Sequence, residues 1–247
     1  MSRITDTVKH LIIINVIFFV ATQAFGNNLF DSLALWFPKN HNFKVWQIFT
    51  HMFMHHQTFY LHLIMNMFGL WMFGTPLEQI WGKKKFLFFY FSAGLGAVLI
   101  PWMIDFYQFN SIIDQLVVNG FNKADILSLL NEGKYNTGWQ SALNSENFEK
   151  LNTVFFTRGV GASGALMGLL AAFGINFPNS KMALIFLPIP IAAKYFIPIL
   201  LGYEMLSGIF EWSSVFGANI AHFAHVGGAI VGGVIAYSWK KNQFKTT

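Results

Sequence analysis

Gly159-Val160-Gly161-Ala162-Ser163-Gly164-Ala165-Leu166-Met167-Gly168 is the point where a long polar segment enters an apolar run. If that run is a membrane helix over roughly 161–177, Ser163 stands at or near its N-terminus. The free backbone N–H groups of a helix N-terminus stabilise a developing oxyanion. The flanking glycines let another backbone approach closely. Gly164 and Gly168 form a small-xxx-small face, the pattern that lets two membrane helices pack tightly. By itself the stretch reads better as a packing motif with a capping serine, because glycine faces are common in membrane helices.

Composition supports the membrane setting. Hydrophobic residues make up 54% of the 247, and charged residues only 11%, against about 25% charged in soluble domains. Phe alone contributes 29 residues and Trp 8. A soluble fold would have to expose much of that apolar surface, whereas a bilayer is itself an apolar solvent. The chain has no Cys, so disulfide and thiolate chemistry are excluded. The net charge of +5 is spread over short loops and forms no basic stripe, which argues against nucleic acid.

Six spans are expected, near residues 9–26, 59–79, 85–104, 161–177, 190–211 and 217–238. Each is close to the ~20 residues that cross a hydrocarbon core. The fold class is therefore an all-α membrane protein, a single six-helix bundle over 1–247. The first apolar run follows Arg3 and Lys9 as a signal peptide would, but the further runs favour an uncleaved first span. Pro188, Pro190 and Pro198 make the start of the fifth span irregular, and Ile185–Ile191 reads as an interfacial stretch before it. Residues 27–58 read as a structured loop lying partly in the interface. Residues 105–158 read as a polar insert holding short amphipathic helices around Ala124–Leu130 and Ser145–Val154. Placing the N-terminus in the cytoplasm puts Arg3, Lys9, Lys83, Lys84, Lys85, Lys181, Lys194, Lys240, Lys241 and Lys245 inside, as the positive-inside rule requires. The insert then lies outside.

Two more clusters carry polar groups into spans, where they are costly and functional by default. Ala221-His222-Phe223-Ala224-His225-Val226-Gly227-Gly228-Ala229-Ile230-Val231-Gly232 places His225 on a helix face with Gly228 and Gly232. Two helices with matching small faces would bring Ser163 to a general base, His225. With no Asp in a span to orient the histidine, a dyad is expected rather than a triad. His222, one turn outward, reads as a structural or rim residue. His62 and Asn66, spaced i and i+4, share one face of the second span and would supply oxyanion donors beside the Ser163 amide. Under the cytoplasmic N-terminus all three clusters fall at one depth, below the outer surface.

These residues resemble the rhomboid family of intramembrane serine proteases. Gly161-Ala162-Ser163-Gly164 looks like its nucleophile motif, and Ala224-His225-Val226-Gly227-Gly228 with Gly232 like its base motif. His62-xxx-Asn66 matches its second-helix pair. Val45-Trp46-Gln47-Ile48-Phe49-Thr50-His51, Glu78, Gly82 and Tyr90–Gly96 are similar to family segments, so the match covers roughly 45–104 and 159–235. The resemblance implies a bacterial-type six-helix core in the inner membrane. It implies cleavage of single-pass membrane proteins in or near their spans, by Ser163 and His225, with His62, Asn66 and the Ser163 backbone holding the oxyanion. No cofactor, metal or nucleic acid is implied; the partners are the bilayer and transmembrane substrates. Substrate entry would move the fifth span or the loop around Glu211–Asn219.

Three departures stand out. Trp46-Gln47 replaces the family's usual Trp-Arg. Met167 stands where an aromatic residue often packs under the base. The 105–158 connection is longer than the minimal core needs. Three other readings were weighed. A catalytically weak rhomboid-like client-binding protein would be expected to lack Ser163 or His225. A zinc enzyme built on His51, His55, His56 and His62 lacks a His-Glu-xx-His signature. A transporter using Glu204, with Tyr203 satisfying it, shows no inverted repeat.

Overall fold

A computed structural model describes residues 3–184, 187–210 and 221–243. Helix α1 (Asp6–Leu33) runs past the expected end of the first span and kinks at Gly26. A short helix α2 (Gln47–Thr50) and one 3-10 turn (His51–Phe53) follow. Then α3 (Tyr60–Gly69), a π-helical turn (Leu70–Gly74) and α4 (Thr75–Val118) succeed one another without a loop. The divide between the expected second and third spans is a backbone break at Gly82, with φ 76° and ψ 165°. That left-handed φ is open to glycine at little cost. Among the described residues, Asp6–Leu33 and Tyr60–Val118 are long and apolar enough to cross a bilayer, and α8 (Ser163–Asn176) is apolar but shorter.

The third expected span does not stop at residue 104. Helix α4 continues through Pro101 to Val118, so the insert's first fourteen positions belong to it. The reason is local amphipathicity. Phe109, Ile112, Ile113 and Leu116 follow the i, i+3, i+4, i+7 pattern of one helix face. They are buried with Phe37, Ile126, Leu130, Trp139, Leu143, Leu151 and Phe155 in a second hydrophobic core. The rest of the insert folds as α5 (Lys123–Asn131), α6 (Trp139–Ala142) and α7 (Ser145–Phe156). Helices α5 and α7 fall close to the two amphipathic segments expected. Asn122 and Asn144 cap them, each side chain accepting from backbone N–H groups of the first turn.

The all-α expectation also needs correction. Residues around the fifth span's start form a two-stranded antiparallel hairpin, β1 (Lys181–Leu184) and β2 (Leu187–Ala192), paired Lys181 to Ala192. Pro188 and Pro190 lack the N–H that a helix interior requires, and an edge strand tolerates proline. Helix α9 therefore begins at Ala193 and runs to Ile209. The last helix, α10, spans His222–Gln243. The expected gating loop, 211–219, and the start of the sixth span lie outside the described residues.

Glu78 ties α1 to α4. Its carboxylate accepts from Thr5 Oγ1 (2.5 Å), Thr7 N (3.2 Å) and Val8 N (3.0 Å). These are N-terminal groups of α1, where negative charge is favoured by the helix dipole.

Gln47 organises the loop between α1 and α2. It is fully buried. Its Oε1 accepts from Trp36 N and Lys44 N, and its Nε2 donates to the carbonyls of Asp31, Ser32 and Asn42. A cation is still present nearby. Arg158 pairs with Asp31 and lies over the Phe30 and Trp36 rings at 5.2 and 5.6 Å. Replacing Gln47 with leucine keeps the volume but orphans the buried Trp36 N–H, at about 1–3 kcal/mol for an unsatisfied buried group, and strips the part-buried Lys44 N–H of its partner. Thermal unfolding in detergent is expected to shift to lower temperature; an unchanged midpoint would refute the hub role.

Candidate active site

Helices α4, α8 and α10 meet at points where no side chain intervenes. A Cβ on Gly228 would lie 1.9 Å from the Gly164 carbonyl oxygen, and one on Gly232 would lie 2.6 Å from the Gly168 Cα. A Cβ on Gly227 would lie 2.4 Å from the Gly96 carbonyl oxygen. The small faces read from the sequence thus face each other, and only glycine permits this approach. The packing brings the N-terminal turn of α8, carrying Ser163, beside the turn of α10 carrying His225, since a Cβ on Gly164 would sit 3.3 Å from the Ala224 carbonyl.

Ser163 opens α8. The N-cap residue, Ala162, has no side chain to satisfy the first N–H groups, and no side-chain cap is made. The backbone donors at Ser163 and the following residues are therefore left for another acceptor. The segment entering the helix is pinned from both sides. Leu35 and Gly159 exchange a pair of backbone hydrogen bonds (2.9 and 2.8 Å), and Gly161 N donates to His51 O (2.9 Å). Gly161 has φ +118°, a conformation that L side chains rarely adopt.

Gly161 is also where two candidate groups converge. The position of a Cβ there lies 3.1 Å from His62 Nε2 and 3.5 Å from Ser163 Oγ. The space kept empty by the missing side chain is bordered by both. The His62 ring is oriented by its other nitrogen, since His56 N donates to His62 Nδ1 (3.4 Å). A neutral ring that accepts at Nδ1 carries its proton on Nε2. His62 therefore presents an N–H toward the Ser163 side. Asn66 is buried and its Nδ2 donates to His62 O (2.7 Å). One N–H of that amide is used in this bond and one is left. Its Oδ1 is buried without a partner.

The neighbouring histidines are structural in their surroundings. His51 is buried, with Nδ1 on the Gln47 carbonyl (2.9 Å), and burial lowers its pKa to about 4. His55 is fully buried, its ring 5.2 Å from that of His62. Burial, then the nearby His62, lowers its pKa to about 3. Both are neutral at ordinary pH. Among the described residues no three His, Cys, Asp or Glu side chains form a group that could hold a metal ion.

Other expectations fare unevenly. Met167 packs with Leu170, Ala193 and Ile197 between α8 and α9. Trp46 donates from Nε1 to Ser32 O (2.9 Å) and so steadies the first loop. His222 is not a rim residue: it is buried, and its Nδ1 donates to Glu204 Oε2 at 2.7 Å. Glu204, on α9, is satisfied by this contact and lies 3.0 Å from His225 Nδ1 as well. Sequence reasoning considered Glu204 only as a transporter residue. The signal available was a lone acid in an apolar helix; its partners sit on another helix.

A serine at an uncapped helix N-terminus, the His62 ring across from it and a second histidine, His225, on the adjoining glycine-packed helix thus lie on neighbouring elements of a helical bundle. The rhomboid domain family matches residues 42–121 and 135–242, and the chain belongs to the rhomboid family. Rhomboid protease AarA of Providencia stuartii is 25% identical over 191 residues, which are 72% of this chain and 50% of that protein. Rhomboid protein 1, mitochondrial, of Saccharomyces cerevisiae is 25% identical over 185 residues, 74% of this chain and 38% of its own. The human presenilin-associated rhomboid-like protein, mitochondrial, is 24% identical over 172 residues, 69% and 32% of the respective chains. The match thus spans half or less of the length of these relatives. Family membership makes the chain a membrane protein of the rhomboid class.

Proposed function

We propose that this protein is an intramembrane serine endopeptidase that cleaves single-pass membrane proteins in or near their spans. The observation that carries the proposal is the shared space at Gly161, bordered by Ser163 Oγ and His62 Nε2. The glycine contact between α8 and α10 supports including His225, since it brings the Ser163 and His225 turns side by side. Similarity to a protein named as a rhomboid protease supports the same reading.

In this mechanism Ser163 Oγ attacks the peptide carbonyl carbon while its proton passes to His225 Nε2. The carbonyl oxygen takes the negative charge, facing His62 Nε2–H, the remaining Asn66 N–H and the Ser163 backbone N–H. Collapse of the tetrahedral species breaks the C–N bond, and His225 returns the proton to the leaving amine. Water, activated by His225, then releases the acyl group. The core crosses the membrane six times, with the N-terminus in the cytoplasm and the site opening outward, so that water reaches Ser163. The helical insert lies on that outer side.

A fluorophosphonate probe tests the chemistry independently of the substrate. The detergent-solubilised protein is expected to be labelled at Ser163, as peptide mass mapping would show, and labelling should vanish in His225→Ala. Absence of labelling in a folded sample would favour a client-binding protein without peptidase activity.

A further inference from the structure

Helix α9 presents a buried carboxylate to the Nδ1 edge of His225. Glu204 Oε2 lies 2.7 Å from His222 Nδ1 and 3.0 Å from His225 Nδ1, with both partners' side chains and its own at least nine-tenths buried. The first contact is a formed hydrogen bond. In the second the distance suits an ion pair, but the contact does not have hydrogen-bond geometry, and His225 Nδ1 has no hydrogen bond. Helices α9 and α10 approach closely here. A Cβ on Gly208, one turn beyond Glu204, would lie 3.3 Å from His222 Cβ.

Three facts require explanation together. A carboxylate in an apolar helix is expensive and tends to be tied to a function. Its position is fixed by His222, a residue with no role in the dyad. The nitrogen it faces on His225 is Nδ1, the one a Ser–His pair leaves unused. We infer that Glu204 is a positioning residue for His225, turning the expected dyad into a Ser163–His225–Glu204 relay. This rests on the serine-protease reading above. The carboxylate keeps the ring's proton on Nδ1, which leaves the Nε2 lone pair for the Ser163 proton. It also balances the imidazolium once that proton has moved. His222 holds the carboxylate so that a small rotation of the His225 ring closes the second hydrogen bond, as apo sites commonly leave such bonds long or misaligned. Among the described residues, the other titratable groups near His225 are His222 on its own helix and His62 from α3. The α4 and α8 backbones packed against this turn of α10 present Gly96, Ile100 and Gly164, none of which titrates.

The test separates charge from packing. Glu204→Gln keeps the volume and can still accept from His222 Nδ1, so a purely structural strut survives it. Glu204→Asp keeps the charge. Ser207→Ala removes a buried, unpartnered hydroxyl from the neighbouring turn of α9 and serves as the control for disturbing that face. Each is reconstituted with a single-pass reporter substrate, alongside wild type and Ser163→Ala. Glu204→Gln is expected to lower kcat about 10- to 100-fold with little change in KM. The acidic limb of its kcat/KM profile should move to lower pH by about one unit, since a compensating charge has gone. Glu204→Asp should recover most of kcat, and Ser207→Ala should match wild type. A Glu204→Gln enzyme with wild-type kcat and pH profile overturns the positioning role. So does a loss in Glu204→Gln that Glu204→Asp does not repair at all. If Ser163→Ala cleaves like wild type, it is the underlying protease assignment that fails instead.

Discussion

Cleavage of a reconstituted single-pass reporter is expected to fall by roughly 10^4-fold or more on replacing Ser163 with alanine, and comparably on replacing His225. The two effects should not add, because the groups act as one unit: without the serine there is no proton for the histidine to take. The double variant should therefore be no worse than either single one. Folding is not expected to suffer in Ser163→Ala. The hydroxyl makes no cap, since α8 starts without a side-chain cap hydrogen bond, and the helix is held by glycine contacts elsewhere along its length. Thermal unfolding of Ser163→Ala should match wild type. His225 is more deeply embedded, buried against Glu204, so its removal leaves a buried carboxylate with one partner fewer and should lower the midpoint modestly. Undiminished cleavage by either variant would remove the dyad from the mechanism.

The second large effect is expected far from any reacting atom in chemical terms. Gly228→Val places a Cβ where only 1.9 Å separates it from the Gly164 carbonyl oxygen and 2.6 Å from the Gly164 carbon. Both are backbone atoms, so no flexible side chain can swing aside. The helices must part by more than an ångström, and a displacement of that size between reacting groups costs about 100-fold in rate. Overpacking adds about 1–3 kcal/mol of destabilisation. Gly202→Ala is the matched control, because nothing lies within 4 Å of a Cβ there; it should leave cleavage and unfolding unchanged. The prediction is read from kcat, fluorophosphonate labelling and the unfolding midpoint of both variants. Wild-type cleavage by Gly228→Val would mean that the glycine crossing does not set the Ser163–His225 geometry.

Much of this was legible in the residues. Small-xxx-small spacing is a local property of each helix, so the faces of Gly164, Gly168, Gly228 and Gly232 could be read before their partners were known. The same holds for α5 and α7, whose amphipathic segments and asparagine caps lie within a dozen residues. The end of α4 lies beyond the expected span for a different reason. Its polar residues mask a helical repeat, Phe109, Ile112, Ile113 and Leu116, which buries against α5, α6 and α7. The hairpin before α9 was anticipated only as an irregularity at Pro188 and Pro190.

By itself the sequence determined the membrane class, the family motifs and the candidate groups Ser163, His225, His62 and Asn66, because each depends on composition or short-range spacing. Only the tertiary structure decided what those groups face. That His62 and Ser163 border one glycine-made space, that Gln47 gathers five backbone partners, and that Glu204 meets His222 and His225 are pairings between separate segments. No periodicity encodes them. They arise from tertiary packing: glycine contacts bring helix backbones close, and most buried polar groups are stabilised by a partner on another helix or loop, because desolvation makes an unpartnered one costly.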